Sequence, residues 1–409
     1  MIFRMEQKPV IHVALVSLGC PKNLVDSERI LGELAEAGCV VGATMDEADV
    51  IVINTCGFLS AAREESLEVI AEAVEQKRVG RAGRVVVTGC LPSRDGEQLY
   101  EMTDGIDAVI GVNDRETVLQ AVLQKERVTR ISKKPLPFGR KSSGDTGRFR
   151  LTPRHTGYLR IAEGCSQKCS FCTIPAIRGP FRSKPPEMVL AEARELLADG
   201  AVELNVIAQD TTAYGSDFKT GRAGGSGVAS LLRSLNELDG IEWIRLMYAY
   251  PRRFDDDLIA AIAESQHVVP YVDIPLQHIS TPILRRMKRR VTREETETLL
   301  HKLRKRICGL TIRTSLIVGF PGETEDQFEE LLRFVREFRF EALGVFEFSP
   351  EPGTAAAEMS RQVPAHLTAE RAEAVMLAQQ EIAFAANERL LGATLKVLID
   401  GVDSPGVCV

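Results

Sequence analysis

Glu163-Gly164-Cys165-Ser166-Gln167-Lys168-Cys169-Ser170-Phe171-Cys172 sets three cysteines in a CxxxCxxC spacing. A cubic four-iron four-sulfur cluster has four iron corners and normally takes four cysteine thiolates. Three local ligands leave one iron open. An open position on a metal marks a reactive site, whereas a closed shell marks structure or simple electron transfer. A zinc knuckle with a distant fourth ligand is the competing reading. Zinc knuckles favour CxxC pairs, however, and the first gap here has three residues.

Around this run the chain alternates strand and helix signals. Strands are expected at 156–162, 202–208, 241–248, 271–275, 311–318 and 342–348. Helices fit 186–198, 228–238, 255–263, 293–306 and 324–338. Six βα units predict an open, partial version of the eight-stranded barrel, in which site residues follow the C-terminal ends of strands. The cysteine run follows the first strand. Gln209-Asp210, Tyr248-Ala249-Tyr250-Pro251, Leu276-Gln277-His278, Gly319-Phe320-Pro321-Gly322-Glu323 and Ser349-Pro350-Glu351 follow the others. Singly, such pairs also fit turns and caps. Together, around an open-site cluster, they predict a cofactor pocket. The glycines of 319–323 would also let backbone approach a flat ligand.

Upstream, strands are expected at 11–18, 49–54, 84–88 and 107–110. Helices are expected at 27–37, 61–75 and 115–123. This alternation predicts an α/β first domain with a doubly wound parallel sheet. Three of its strands end alike: Gly19-Cys20, Thr55-Cys56-Gly57 and Gly89-Cys90. Strand C-termini of an open parallel sheet share one edge, where ligands bind. Lone cysteines are usually small buried hydrophobes. Three at equivalent positions favour a second three-thiolate cluster on Cys20, Cys56 and Cys90. Cys39, Cys308 and Cys408 are assigned to packing or surface. The expected domains are 10–128, a basic linker at 129–150, the partial barrel at 151–385 and a final segment at 386–409.

The bulk properties set limits. A chain of 409 residues, 44% apolar and 26% charged, suits a globular protein of two or three domains. It has no run of about 18 apolar residues to span a membrane. No signal peptide is recognised at the N-terminus, and nine cysteines without disulfide spacing point to a reducing cytoplasm. A net charge of −6 argues against a large nucleic-acid footprint. A Lys/Arg-rich stretch at 130–184 and the cluster Arg285-Arg286-Met287-Lys288-Arg289-Arg290 run against that average, though both also fit solvated surface.

CxxxCxxC with Phe171 before the last cysteine resembles the radical S-adenosylmethionine enzymes. The first domain with three dispersed cysteines is similar to the methylthiotransferases of that class, and the resemblance covers nearly the whole chain. The run Ser-Leu-Gly-Cys-Pro-Lys-Asn-Leu-Val-Asp-Ser-Glu at 17–28 is similar to the branch that acts on a small-subunit ribosomal protein. So are Ile-Pro-Ala-Ile-Arg-Gly at 174–179 and Asp-Ile-Pro-Leu-Gln-His at 273–278. The tRNA-acting branch tends to have Gly-Cys-Gln-Met-Asn at the first of these.

The resemblance implies two four-iron four-sulfur clusters and S-adenosylmethionine (SAM). The cluster on Cys165, Cys169 and Cys172 would chelate SAM and cleave it to a 5′-deoxyadenosyl radical, chemistry that a cofactor must supply. The cluster on Cys20, Cys56 and Cys90 would hold or donate the sulfur. The target would be the β-carbon of an aspartate on ribosomal protein number twelve. Gln209 and Asp210 would face the methionine part of SAM. Phe171, Ser315, Ile317 and Gly319 would lie near adenine, and Tyr248, Gln277 and His278 near substrate. A one-electron reductant such as flavodoxin or ferredoxin is an implied partner. The family ends in a small all-β TRAM domain. Here 395–400 resembles its first strand and 406–409 the start of a second, so the expected domain is a truncated one. A tRNA methylthiotransferase and a non-catalytic iron–sulfur carrier are the alternatives, the carrier requiring closed four-cysteine shells.

Overall fold

The computed structural model describes residues 10–135, 138, 144–218, 227–401, 403 and 406. The chain divides into two compact units, Met1–Leu151 with Thr173–Pro180, and Thr152–Cys172 with Phe181–Val409.

The first unit holds the strands β1 (His12–Ser17), β2 (Val40–Val41), β3 (Val50–Thr55), β4 (Arg84–Gly89), β5 (Ala108–Gly111) and β6 (Val128–Arg130). They form one parallel sheet in the order β2-β1-β3-β4-β5-β6. Its helices are α1 (Pro21–Glu36), α2 (Ser60–Arg78), α3 (Cys90–Asp95), α4 (Leu99–Met102), α5 (Val118–Leu123) and α6 (Ile174–Arg178). Alternate residues of each strand serve opposite faces. Ile51, Ile53, Val85 and Val87 pack with Ile70, Ala73 and Val74 of α2. Val50, Val52 and Val86 pack with Ile30 and Leu34 of α1 and Val118 and Val122 of α5. Burial on both faces is why β3 and β4 read as unbroken apolar runs.

Three expectations change here. Helix α1 begins at Pro21, not near 27, because Lys22, Asn23 and Asp26, which look like loop polarity, are buried. The 129–150 segment is no free linker: Val128–Arg130 pairs with β5, and the amide of Leu151 and the guanidinium of Arg148 bond to buried Glu28 at 2.9 and 3.3 Å. Part of the linker, 136–137 and 139–143, lies outside the described residues. Thr173–Pro180, expected within the barrel, groups with the first unit, where Ile177 packs on Cys90 and Val112.

The second unit holds β7 (Thr156–Arg160), β8 (Ala162–Glu163), β9 (Arg182–Ser183), β10 (Glu203–Ile207), β11 (Trp243–Leu246), β12 (Val268–Asp273), β13 (Thr311–Val318) and β14 (Ala342–Glu347). Six form a parallel sheet in the order β14-β13-β12-β11-β10-β7, and β8 and β9 make a two-residue antiparallel pair. The helices are α7 (Pro186–Ala198), α8 (Val228–Asn236), α9 (Asp256–Glu264), α10 (Thr281–Arg286), α11 (Arg293–Arg306), α12 (Glu325–Phe338) and α13 (Ala365–Glu388). Strand neighbours follow chain order, the pattern of an open partial barrel.

Helix α13 went unforeseen. Its apolar residues are mostly alanine and form no sharp face, yet Val375, Ala378 and Ile382 are buried and Gln379 donates to the Phe340 carbonyl at 3.0 Å. The strand expected at 395–400 is absent: these residues lack ladder pairing and are mostly exposed, and an extended segment without a partner strand has unpaired backbone groups that water must satisfy. Of the second expected TRAM strand, 407–409 lies outside the described residues.

Candidate iron–sulfur and cofactor sites

Strands β1, β3 and β4 are immediate neighbours, so their C-terminal residues stand one strand spacing apart along a single edge. Cys20 is the N-cap of α1, Cys56 follows β3, and Cys90 opens α3. The flanking glycines allow this convergence. A Cβ on Gly19 would stand 2.8 Å from the Cys56 Cβ and 3.1 Å from its Sγ. One on Gly57 would meet the Leu91 backbone at 2.9 Å, and one on Gly89 would fall 2.4 Å from Asn54 Oδ1.

A polar lattice fixes the edge. Asn23 Nδ2 donates to the Leu18 carbonyl at 2.6 Å, and Asn54 Nδ2 donates to the Asn23 carbonyl and Ser27 Oγ, both at 2.8 Å. The Ser66 hydroxyl donates to the Cys56 carbonyl at 2.9 Å. Burial raises the Cys56 thiol pKa, with Cys20 adding to the rise and Arg178 opposing it. Cys90 is pushed up to about 12, again mainly by burial, with Arg178 opposing and Cys20 and Cys56 adding. Cys56 and Cys90 therefore each sense the Cys20 sulfur and one arginine.

In the second unit the chain leaves β8 through Gly164, whose φ of 76° is left-handed, and enters the cysteine loop. The loop is tied down at its centre. The Ser170 amide and hydroxyl donate to the Met287 and Arg286 carbonyls at 3.0 and 2.8 Å, and its carbonyl accepts from the Ala356 amide at 2.9 Å. The Gln167 amide donates to Cys165 Sγ at 3.4 Å. Burial pushes the Cys165 thiol up to about 11. Arg289 stacks over the Tyr250 ring at 4.2 Å with Nη1 4.0 Å from Cys169 Sγ.

Among the described residues no three His, Cys, Asp or Glu side chains are arranged to hold a single metal ion. A four-iron cube takes each thiolate on a separate iron, so its sulfurs stand further apart than those of a one-ion shell. Soft thiol donors in threes, each set with an arginine beside one sulfur, suit such a cube.

Residues 12–111 match the uncharacterized protein family UPF0004, and residues 159–335 match the radical SAM superfamily. The ribosomal protein uS12 methylthiotransferase RimO of Geotalea uraniireducens (strain Rf4) is 45% identical over 389 residues, 95% of this chain and 86% of that protein. RimO of Anaeromyxobacter sp. (strain K) is 48% identical over 95% of this chain and 82% of its own length. The chain belongs to the RimO family of methylthiotransferases. It is a radical SAM enzyme, and an iron–sulfur cluster and SAM come with that class. Its fold resembles the radical SAM methyltransferase TsrM of Kitasatospora setae, with a TM-score of 0.60 over 85% of this chain and 77% of that one, at 17% identity. The cobalamin-dependent radical enzyme OxsB aligns with a TM-score of 0.53 over 98% of this chain and 64% of that one, at 15% identity.

The remaining expected residues fall into two groups. Gln209 and Asp210 lie with the cysteine loop: Asp210 accepts from Gln167 Nε2 at 3.0 Å and Thr212 Oγ1 at 2.7 Å. Gln209 Nε2 donates to Glu163 at 3.0 Å, while its buried Oε1 has no hydrogen-bond partner, an acceptor left for a bound donor. Asp210 lines a cleft with Ser166, Gln167, Arg253 and Arg290. Phe171 packs with Ile317 and Phe320. Tyr248 and Gln277 hold left-handed φ of 57° and 73°, strain of about 1–3 kcal/mol each that concentrates at functional edges. Gln277 keeps its backbone paired to β13 through the Ser315 carbonyl and the Ile317 amide.

Gly319 and His278 both lie in tightly packed surroundings. A Cβ on Gly319 would stand 2.2 Å from Thr368 Oγ1, and one on Gly322 would strike Arg286, so both glycines make room for neighbouring side chains. His278 is fully buried, its Nδ1 accepting from the Ser280 amide at 2.9 Å and its Nε2 3.6 Å from Glu323, which Arg371 pairs at 2.9 Å. Sequence reasoning missed Arg178 and Arg289. Arg289 stood only within the basic run 285–290 and Arg178 only within the 174–179 stretch, and in sequence neither differs from surface charge.

Proposed function

We propose that this chain inserts a methylthio group at the β-carbon of an aspartate in ribosomal protein uS12 of the small subunit. The observation that carries the reading is the second cysteine trio, on the ends of three adjacent parallel strands, in a chain of the RimO family. A radical SAM enzyme that only abstracts hydrogen has no use for it; sulfur insertion does. The reading includes two four-iron clusters, one on Cys165, Cys169 and Cys172 and one on Cys20, Cys56 and Cys90.

When bound, the first cluster and SAM supply a carbon radical able to take hydrogen from an unactivated C–H bond. The chain's own residues do the rest. Gln209 Oε1 and Asp210 offer acceptors to the amino group of the methionine part. Arg253 and Arg290, in the same cleft, offer cations to its carboxylate. Phe171 and Ile317 give an apolar wall suited to a purine ring. Cys165, Ser170 and Asp210 are buried, which limits the access of bulk water to that radical. A reductant of the flavodoxin or ferredoxin kind provides electrons, and a ribosomal substrate places the work in the cytoplasm.

The test is mass spectrometry of uS12 and of tRNA from cells with and without this chain. A methylthio group on a uS12 aspartate that disappears with the chain is expected. The same group lost from tRNA instead, with uS12 unchanged, overturns the substrate reading.

A further inference from the structure

Arg178 ends the short helix α6 and is 1% exposed. Its Nη2 donates to Cys90 Sγ at 3.4 Å, Asp26 Oδ2 at 3.2 Å and Asn23 Oδ1 at 3.3 Å. Asp26, 2% exposed, also accepts from Arg115 at 2.9 Å, and Arg115 lies 3.5 Å from buried Asp145. Packing of Ile177 on Cys90 and Val112 pins the last turn of α6 to the start of α3. The guanidinium is thus held against the sulfur and has no freedom to swing into solvent.

One nitrogen of Arg178, Nη2, meets both the Cys90 sulfur at 3.4 Å and the Asp26 carboxylate at 3.2 Å. Asp26 is shared between the guanidiniums of Arg178 and Arg115. A four-iron cluster on three thiolates is anionic in both oxidation states and more so when reduced. A fixed cation at one ligand sulfur therefore favours the reduced form, since net charge, hydrogen bonds to sulfur and solvent exposure set such potentials.

We propose that Arg178, restrained by Asp26, raises and sets the reduction potential of the second cluster through its hydrogen bond to Cys90. The inference rests on the reading that Cys20, Cys56 and Cys90 hold such a cluster. Arg178 is a positioning residue that acts through the Cys90 sulfur.

The experiment uses the full chain with Cys165, Cys169 and Cys172 replaced by Ala, reconstituted with iron and sulfide without oxygen. The readouts are iron per chain and an EPR-monitored titration with dithionite. In that background Arg178→Gln is expected to shift the reduced-to-oxidised ratio at the parent's midpoint about tenfold toward oxidised, which is about 59 mV lower for a one-electron couple. Arg178→Lys should restore most of the shift. Asp26→Asn, which leaves the guanidinium less neutralised, should shift the ratio the opposite way. Unchanged midpoints at full iron content, or both variants moving in one direction as loosened packing would make them, overturn the proposal. If Arg178→Gln fails to hold iron, the sign of the Asp26→Asn shift decides: a rise supports the proposal and no rise overturns it. Absence of iron from the parent background itself overturns the two-cluster reading, and this proposal with it.

Discussion

Replacing Gly89 with Ala tests whether the cysteine edge is held by close backbone approach. Gly89 has φ 103° and ψ −148°, a conformation that glycine alone adopts readily and that costs another residue about 1–3 kcal/mol. The new Cβ would stand 2.4 Å from Asn54 Oδ1, 2.6 Å from the Thr55 carbonyl oxygen and 2.9 Å from the Thr55 amide nitrogen. Asn54 has little room to yield, because its Nδ2 bonds to the Asn23 carbonyl and Ser27 Oγ. The Thr55 atoms are backbone of β3, paired in register with Gly89 itself. Relieving the overlap means parting β3 from β4, at about 1–3 kcal/mol of overpacking. The sum is about 2–6 kcal/mol, a large share of a typical domain's stability. Gly38→Ala is the control: its φ is 87°, but nothing lies within 4 Å of the added Cβ, so it carries strain without the clash. Hydrogen exchange of the β4 amides in the metal-free chain reads the first unit directly, and iron content after reconstitution reads the edge. Gly89→Ala should exchange much faster than Gly38→Ala and hold less iron at the second site. Equal exchange and undiminished iron would refute the argument that tight strand contact places the cysteines.

Cys169→Ala should abolish release of 5′-deoxyadenosine from SAM; continued release would remove the CxxxCxxC run from the chemistry. Cys56→Ala should leave that release intact while methylthio transfer to uS12 fails, and undiminished transfer would exclude the second trio. Burial pushes the Cys90 thiol of the metal-free chain up to about 12, against about 8.5 for an unfolded thiol. Its folded pKa is the higher one, so the stability it contributes is full below about pH 8.5 and falls as pH rises toward the folded value. The stability difference between metal-free parent and Cys90→Ala should therefore shrink from pH about 9 to about 11, and a flat difference would show that the thiol is not buried. Gly319→Ala should cost about 2–6 kcal/mol through overlap with Thr368 and strain at φ 73°. Thr368→Ala should recover part of that in a double-mutant cycle, whereas simple additivity would mean the two do not touch.

Where local signals are strong, sequence and structure coincide. Helix α7 starts at its proline, and α11 starts at the capping box of Thr292 and Glu295, so Pro186–Ala198 and Arg293–Arg306 were legible residue for residue. Strands β3 and β4 were legible because burial on both faces writes continuous apolar runs. Where polarity is spent internally the reading failed. Asn23 and Asp26 look like loop residues but are buried donors and acceptors inside α1. Helix α13 hides because alanine carries little periodic contrast, and its seat on β14 and α12 is tertiary.

The sequence by itself determined the two parallel sheets, the two cysteine trios and hence the class of chemistry. Those depend on patterns within a few residues: apolar runs, turn signals and ligand spacing. Only the tertiary structure decided that β1, β3 and β4 are neighbours, that Thr173–Pro180 joins the first unit and that Arg178 reaches Asp26 and Cys90. Those partners lie 152 and 88 residues away along the chain. Contacts of that range are fixed by strand order and packing, and a charge buried by them looks in sequence like any surface arginine.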